Sequence, residues 1–262
     1  MNRILEIQGL RALAALLVVI YHADFIPGGF IGVDIFYVIS GYLITGLILR
    51  EIQSSGGLNL KNFYQRRIKR LLPASVLILI ITAFISYLIL PPIQRAELGR
   101  NVLAVGLLVS NYAFAAWETD YQNLGANPSA LVHYWSLAVE EQFYLIWPIF
   151  ILVISKMGLK KIKLAISSVF VISLLFSIWQ TQSSSILAFY SLHTRAWELA
   201  VGALTLFIPK SFSSKLVKYQ QVLFLVGLGL IGYAITFFNS QTPFPGTAAL
   251  VPVIGTFLLI NS

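Results

Sequence analysis

Stretches of about 20 apolar residues recur along this chain with only short polar breaks, and a segment of that length is what crosses a hydrocarbon core about 30 Å thick. Runs at residues 10–26, 30–49, 71–90, 98–117, 136–155, 164–180, 186–208, 221–238 and 247–260 predict about nine spans. Of the 262 residues 58% are hydrophobic and only 11% charged, against roughly a quarter charged in a soluble domain. The expected fold class is therefore all-α, a polytopic transmembrane helical bundle with lipid as its main solvent.

The formal net charge of +8 raises the question of nucleic acid. The basic residues cluster between apolar runs, at Lys61–Arg70 and Lys156–Lys163, which is how membrane topology is written. No basic groove interleaved with aromatics is present, so no nucleic-acid partner is expected. With no cysteine, disulfides, thiolate nucleophiles and thiolate metal sites are excluded, and neither a metal nor a permanently bound cofactor is expected. Arg11 interrupts the first apolar run and no small-residue cleavage site follows, so that run reads as a span. The polar stretch Arg50–Arg70, with Ser54–Gly57 inside it, reads as a cytoplasmic loop, which places the N-terminus in the cytoplasm and the Phe25–Phe30 turn outside. Strict alternation then puts Lys156–Lys163 outside, against the same rule. Either the 98–117 run does not cross, or four lysines are tolerated on the outer side.

Ionisable residues inside spans are costly and mark candidate sites. Arg11 and His22, eleven residues apart, fall within about 20° of one helical face with about 16 Å of rise between them. Either they anchor the two ends of the span at its interfaces, or they do chemistry. In the second reading His22 is a general base suited to deprotonating a hydroxyl and Arg11 orients an anionic group. Asp34, across the short turn, either orients that imidazole as the third member of a relay or caps the second helix. Ser40 and Gly41 read as small-residue packing positions between helices. His133–Tyr144 carries His133, Ser136 as a helix cap, and Trp135, Phe143, Tyr144 and Trp147 as an interfacial aromatic band. Its adjacent Glu140 and Glu141 project about 100° apart, and one of them should meet a cation or a polar cavity, with Arg195 a candidate. Arg195 and Glu198, at i and i+3, also pair on one face. Arg66, Arg67 and Arg70 either anchor lipid headgroups or hold phosphate through planar forked donors.

Taken in order, Gly9–Ala14 with His22, Gly32–Thr45, Phe63–Pro73, His133–Tyr144, Arg195–Ala203 and Pro243–Thr256 resemble the acyltransferase family 3 membrane O-acetylases of bacteria. The resemblance covers the whole chain. It implies a transmembrane domain over 1–262 in the bacterial inner membrane. It also implies acyl transfer, usually of acetyl, from cytoplasmic acyl-CoA to a hydroxyl of an envelope glycan such as lipopolysaccharide or peptidoglycan. Arg11 and His22 fall on the family's arginine–histidine motif and Arg67 and Arg70 on its cytoplasmic arginine pair. The expected catalytic set is His22, Arg11, Asp34, Glu140 and Glu141. Arg66, Arg67 and Arg70 are expected on the acyl-CoA donor, and His133, Ser136, Arg195 and Glu198 in a substrate-binding or structural polar network. Members carrying the ProPheProGly segment often continue into further spans and a hydrolase-like domain, so the sequence is expected to be incomplete at its C-terminus. The rival class is a transporter or flippase using the same intramembrane Arg, His and Glu for substrate or protons.

Overall fold

A computed structural model describes residues 2–119, 129–208 and 219–262, with side chains from Leu5 onward. Among them are eleven α-helices and no strand. They are α1 (Asn2–His22), α2 (Gly32–Ser55), α3 (Leu60–Ile89), α4 (Pro92–Gly106), α5 (Ser110–Thr119), α6 (Tyr134–Ser155), α7 (Leu159–Ser183), α8 (Ser185–Tyr190), α9 (Leu192–Leu204), α10 (Gln220–Phe237) and α11 (Leu250–Asn261). The all-α bundle expected from the apolar runs is what forms.

Six helices, α1, α2, α3, α6, α7 and α10, are long and apolar enough to cross a membrane. The other three apolar runs make shorter pieces, so nine runs do not give nine long helices. The 98–117 run breaks between α4 and α5 at Leu108, which is held at φ 58°, a left-handed conformation costly for a residue with a Cβ. The 186–208 run is divided at Ser191 and ends in a 3-10 turn, Thr205–Phe207. The last run gives the 12 residues of α11, about 18 Å at 1.5 Å per residue. The expected Arg50–Arg70 loop is almost wholly helical. α2 continues to Ser55, Gly56 turns the chain at φ +74°, and the Asn59 side chain caps α3 by accepting from the Asn62 N–H at 3.0 Å.

The chain forms two compact units. The first comprises Met1–Arg50, Ile154–Phe189 and His193–Ser262. Its core includes Ile35, Val38, Ile39, Trp197, Ile231 and Val253. Within it α2 lies close against α9. A Cβ added at Gly41 would lie 1.8 Å from the Leu199 carbonyl oxygen, and one at Gly202 1.9 Å from that of Val38. Backbones approach this closely only where side chains are absent, the association expected of small residues in lipid, and it fulfils the packing role read for Gly41.

The second unit comprises Glu51–Val153 and Tyr190–Leu192. Within the 30 residues of α3 only Phe63 and Ser86 are buried, while Leu77, Ile80, Phe84 and Leu88 are exposed. A surface this apolar suits hydrocarbon rather than water. The aromatic band expected at the interface along α6 is instead internal. Trp135, Phe143, Tyr144 and Trp147 are buried, with Phe143 stacked on Trp147 at 4.5 Å and Trp135 edge-on to Tyr190 at 5.2 Å.

Candidate active site

In the first unit α1 is one uninterrupted helix from Asn2 to His22, so the rise computed for Arg11 and His22 holds and the two are separate stations along it. Ile7, Ala14 and Leu17 form its buried seam, seven and three residues apart, the i, i+3, i+7 spacings of a packed helix face. Arg11 lies half-buried and forms no ion pair among the described residues. A cleft of about 630 Å³ runs along this helix, lined by Glu6, Gly9, Leu10 and Leu13 of α1 with Phe224 and Leu228 of α10 among others. Arg11 is not in that lining.

His22 is the last residue of α1 and is exposed. Its Nδ1 is 2.8 Å from the carbonyl oxygen of Val18, one turn back. A carbonyl only accepts, so in the neutral ring the proton sits on Nδ1 and the lone pair on Nε2. The helix's own backbone thus performs the orienting task that a relay carboxylate performs elsewhere. The helix closes with the Phe25 N–H on the Ile20 carbonyl at 3.2 Å and Asp24 at φ 59°, a Schellman-type end.

Asp34 does not take the relay role expected of it. It is fully buried in the first turn of α2, and its Oδ1 lies 3.3 Å from Nη2 of Arg195 on α9. No ion pair joins Asp34 to His22 among the described residues. Arg195 Nη1 lies 3.1 Å from Oε1 of Glu198, which fulfils the i, i+3 pairing. The cation that sequence reading offered to Glu140 or Glu141 thus has Asp34 and Glu198 as its ion-pair partners. All three side chains are 0% exposed, and the contacts lie at ion-pair distance without hydrogen-bond alignment. The guanidinium is wrapped by the rings of Tyr37, Phe189 and Phe244, with centroids 5.4, 5.7 and 5.3 Å from Cζ, which supply cation–π attraction where water is excluded. This aromatic box was not legible in the sequence.

In the second unit Arg66 donates to Glu51 at 2.8 Å, which commits it to the α2–α3 elbow. Arg67 and Arg70, at i and i+3 on α3, share a face. The Arg67 guanidinium lies over the Tyr144 ring, 4.4 Å from its centroid, and Tyr144 donates its hydroxyl proton to Glu140. Stacking occupies the flat face of a guanidinium and leaves its in-plane donors available for a forked contact. Glu141 has a buried Oε1 with no hydrogen-bond partner, and the charges acting on it are Glu140 and Arg67. Ser136 does not cap α6. The helix begins two residues earlier, and Ser136 sits in its first turn, donating to the His133 carbonyl at 3.4 Å. His133 is exposed, with its ring beside Tyr134 at 4.6 Å.

The break at Leu108 is tied into this polar group. Gln142 Nε2 donates to the Leu108 carbonyl at 2.6 Å and to Asn111 Oδ1 at 2.9 Å, and Asn111 Nδ2 donates to the Tyr190 carbonyl at 3.0 Å. Sequence reading passed over Asn111, although a lone amide in an apolar run is a signal of such a break. Among the described residues no cluster of His, Asp and Glu is suited to a metal ion.

The chain is 36% identical to Peptidoglycan O-acetyltransferase OatA of Listeria monocytogenes, over 97% of this chain and 43% of that protein. It is 35% identical to O-acetyltransferase OatA of Staphylococcus aureus, over 87% of this chain and 39% of that one. It therefore spans less than half the length of these curated relatives. No solved structure matches it. The family described as "Acyltransferase domain" matches residues 4–261, and with almost every residue inside that match the chain belongs to this acyltransferase family.

Proposed function

We propose that this chain is the membrane domain of an O-acetyltransferase that moves an acetyl group from cytoplasmic acetyl-CoA to a hydroxyl of an envelope glycan, with peptidoglycan the favoured acceptor. The observation that carries the reading is an exposed histidine, His22, with Nδ1 held by Val18 and Nε2 free, in a member of an acyltransferase family. The name of the Listeria relative, Peptidoglycan O-acetyltransferase, supports the acceptor class. Family membership favours this reading over a transporter.

Nε2 of His22 takes the proton of the acceptor hydroxyl as its oxygen attacks the thioester carbonyl, and the C–S bond breaks. The imidazolium returns the proton to the thiolate, leaving an ester and free CoA. In the two-step variant Nε2 itself attacks the thioester carbonyl and expels CoA thiolate, forming an acyl-imidazolium; the glycan oxygen then attacks that carbonyl, the C–N bond breaks, and the hydroxyl proton passes to the thiolate. Arg67 and Arg70 are assigned to the donor's phosphates, and Arg66, already paired with Glu51, to holding the elbow that presents them. Arg11 orients the donor from the same helix as His22. Glu140 and Glu141 are assigned to the polar surroundings of Arg67.

The domain is placed in the inner membrane with a cytoplasmic N-terminus. If the broken 98–117 run is not a crossing, alternation returns Lys156–Lys163 to the cytoplasmic side, in keeping with the positive-inside rule. The test has two parts. Purified chain should bind acetyl-CoA and lose that binding when Arg67 and Arg70 are changed to alanine. A host lacking its own O-acetylase should gain alkali-labile acetate on its glycan with the wild type and not with His22→Ala. Normal acetylation by His22→Ala present at normal amounts in the membrane overturns the assignment.

A further inference from the structure

Four ring contacts in the first unit join into one path that ends at His22. Arg195 Cζ lies 5.3 Å from the Phe244 centroid. Phe244 meets Phe30 at 4.9 Å and 81°. Phe30 meets Tyr21 at 5.6 Å and 73°, and Tyr21 meets His22 at 5.3 Å and 84°. Every ring–ring step is edge to face, the arrangement aromatic quadrupoles favour. The path is held at Arg195 and at the turn that carries Phe30. Arg195 is immobilised between Asp34 and Glu198 with no exposed surface. Next to Phe30, an added Cβ at Gly29 would lie 2.5 Å from the Leu17 carbonyl oxygen and 2.7 Å from Tyr21 Cβ, which leaves the turn no room to shift against α1.

His22 needs such support. It is exposed, its Nδ1 bond to Val18 is its one anchor on the helix side, and an imidazole on a helix end has other staggered rotamers open to it. The geometry points to Phe30, held by Phe244 over the buried Arg195, as a positioning residue that fixes the His22 imidazole through Tyr21 with Nε2 directed at the reacting oxygen. This rests on the reading of His22 as the catalytic group. A positioning role follows because a displacement of about 1 Å in a reacting group costs as much as two orders of magnitude in rate, whereas loss of one exposed ring contact scarcely alters binding of a donor held elsewhere.

The test compares wild type, Phe30→Leu, Phe30→Tyr, Tyr21→Leu and His22→Ala in membranes, with acetyl-CoA and soluble glycan fragments. Phe30→Leu should lower kcat about tenfold with the KM for acetyl-CoA unchanged, and Phe30→Tyr, which keeps the ring, should restore it. Tyr21→Leu should reproduce the loss. A readout independent of turnover is carbethoxylation by diethyl pyrocarbonate, mapped by mass spectrometry at His22, His133 and His193. The wild type should give the single adduct at His22. Phe30→Leu should give the double adduct there, as Nδ1 leaves Val18, with His133 and His193 unchanged. Unaltered kcat in Phe30→Leu and Tyr21→Leu overturns the inference, as does a Phe30→Tyr variant no better than Phe30→Leu, or a parallel change at all three histidines. Full activity in His22→Ala overturns the catalytic reading itself. An inactive His22→Ala beside a normal Phe30→Leu overturns this inference alone.

Discussion

Replacing Gly41 by alanine should be among the most damaging single-methyl additions in this protein. The added Cβ would stand 1.8 Å from the Leu199 carbonyl oxygen, and reaching the 3.4 Å of ordinary contact means opening α2 from α9 by about 1.6 Å. The obstacle is backbone, so no rotamer change relieves it. Overpacking of this kind costs about 1–3 kcal/mol, and the upper end applies because the same displacement pulls Asp34 on α2 from Arg195 on α9, now 3.3 Å apart. A loss of about 3 kcal/mol corresponds to a fall of roughly 6–12 °C in midpoint for a chain of this size. Gly227→Ala is the intermediate case, with its Cβ 2.9 Å from the Gly255 carbonyl oxygen. Gly232→Ala, on the same helix with nothing within 4 Å, should gain about 0.5–1 kcal/mol by removing a glycine from a helix interior. Thermal unfolding of detergent-solubilised protein is the assay. It is followed by the fluorescence of the five tryptophans, of which Trp197 is wholly buried on α9. Equal midpoints for Gly41→Ala and Gly232→Ala would refute the close α2–α9 contact and the reasoning built on it.

Arg195→Met leaves two carboxylates, Asp34 and Glu198, buried without their cation, and should destabilise by about 3–5 kcal/mol. The triple change with Asp34→Asn and Glu198→Gln should recover a large part of that in the same melt, because the uncompensated charges are gone. Gln142→Leu removes both donors that pin the Leu108 carbonyl and Asn111 and should cost about 1–3 kcal/mol, read as faster protease cleavage or hydrogen exchange at residues 107–111. Arg66→Ala breaks only the half-exposed pair with Glu51. It should change stability by less than about 1 kcal/mol, and a larger loss would mean the elbow bears more than that contact.

Much of the fold was legible because its determinants are local. Six apolar runs became long helices, and Gly41 showed its packing role through its size alone. Arg195 and Glu198 were readable as a pair because i, i+3 spacing puts them on one face. Asp34 was misassigned for the complementary reason. It stands two residues into a helix near His22 in sequence, while its cation arrives from α9, more than a hundred positions on, and nothing local encodes that meeting. The aromatics of α6 were equally ambiguous, since an interfacial Trp and a buried one look alike until the neighbouring helices are placed. That the 98–117 run need not cross was readable from the charge pattern, but its break could not be placed at Leu108, because a leucine gives no sign of a left-handed conformation. The side chain that ties it down, Gln142, stands on another helix.

With His22 in the role proposed for it, its bond to Val18 ties acid–base chemistry to secondary structure. The acceptor that fixes the ring is a carbonyl of the final turn of α1, and it keeps its direction only while that turn is wound and Asp24 closes it. Fraying of a single turn frees Nδ1, makes the two nitrogens interchangeable and lets the ring swing away from its target. The last turn of the helix then acts as a latch on the base, and the proposed activity should fall wherever sequence, lipid or temperature unwinds those few residues, even with every catalytic side chain in place.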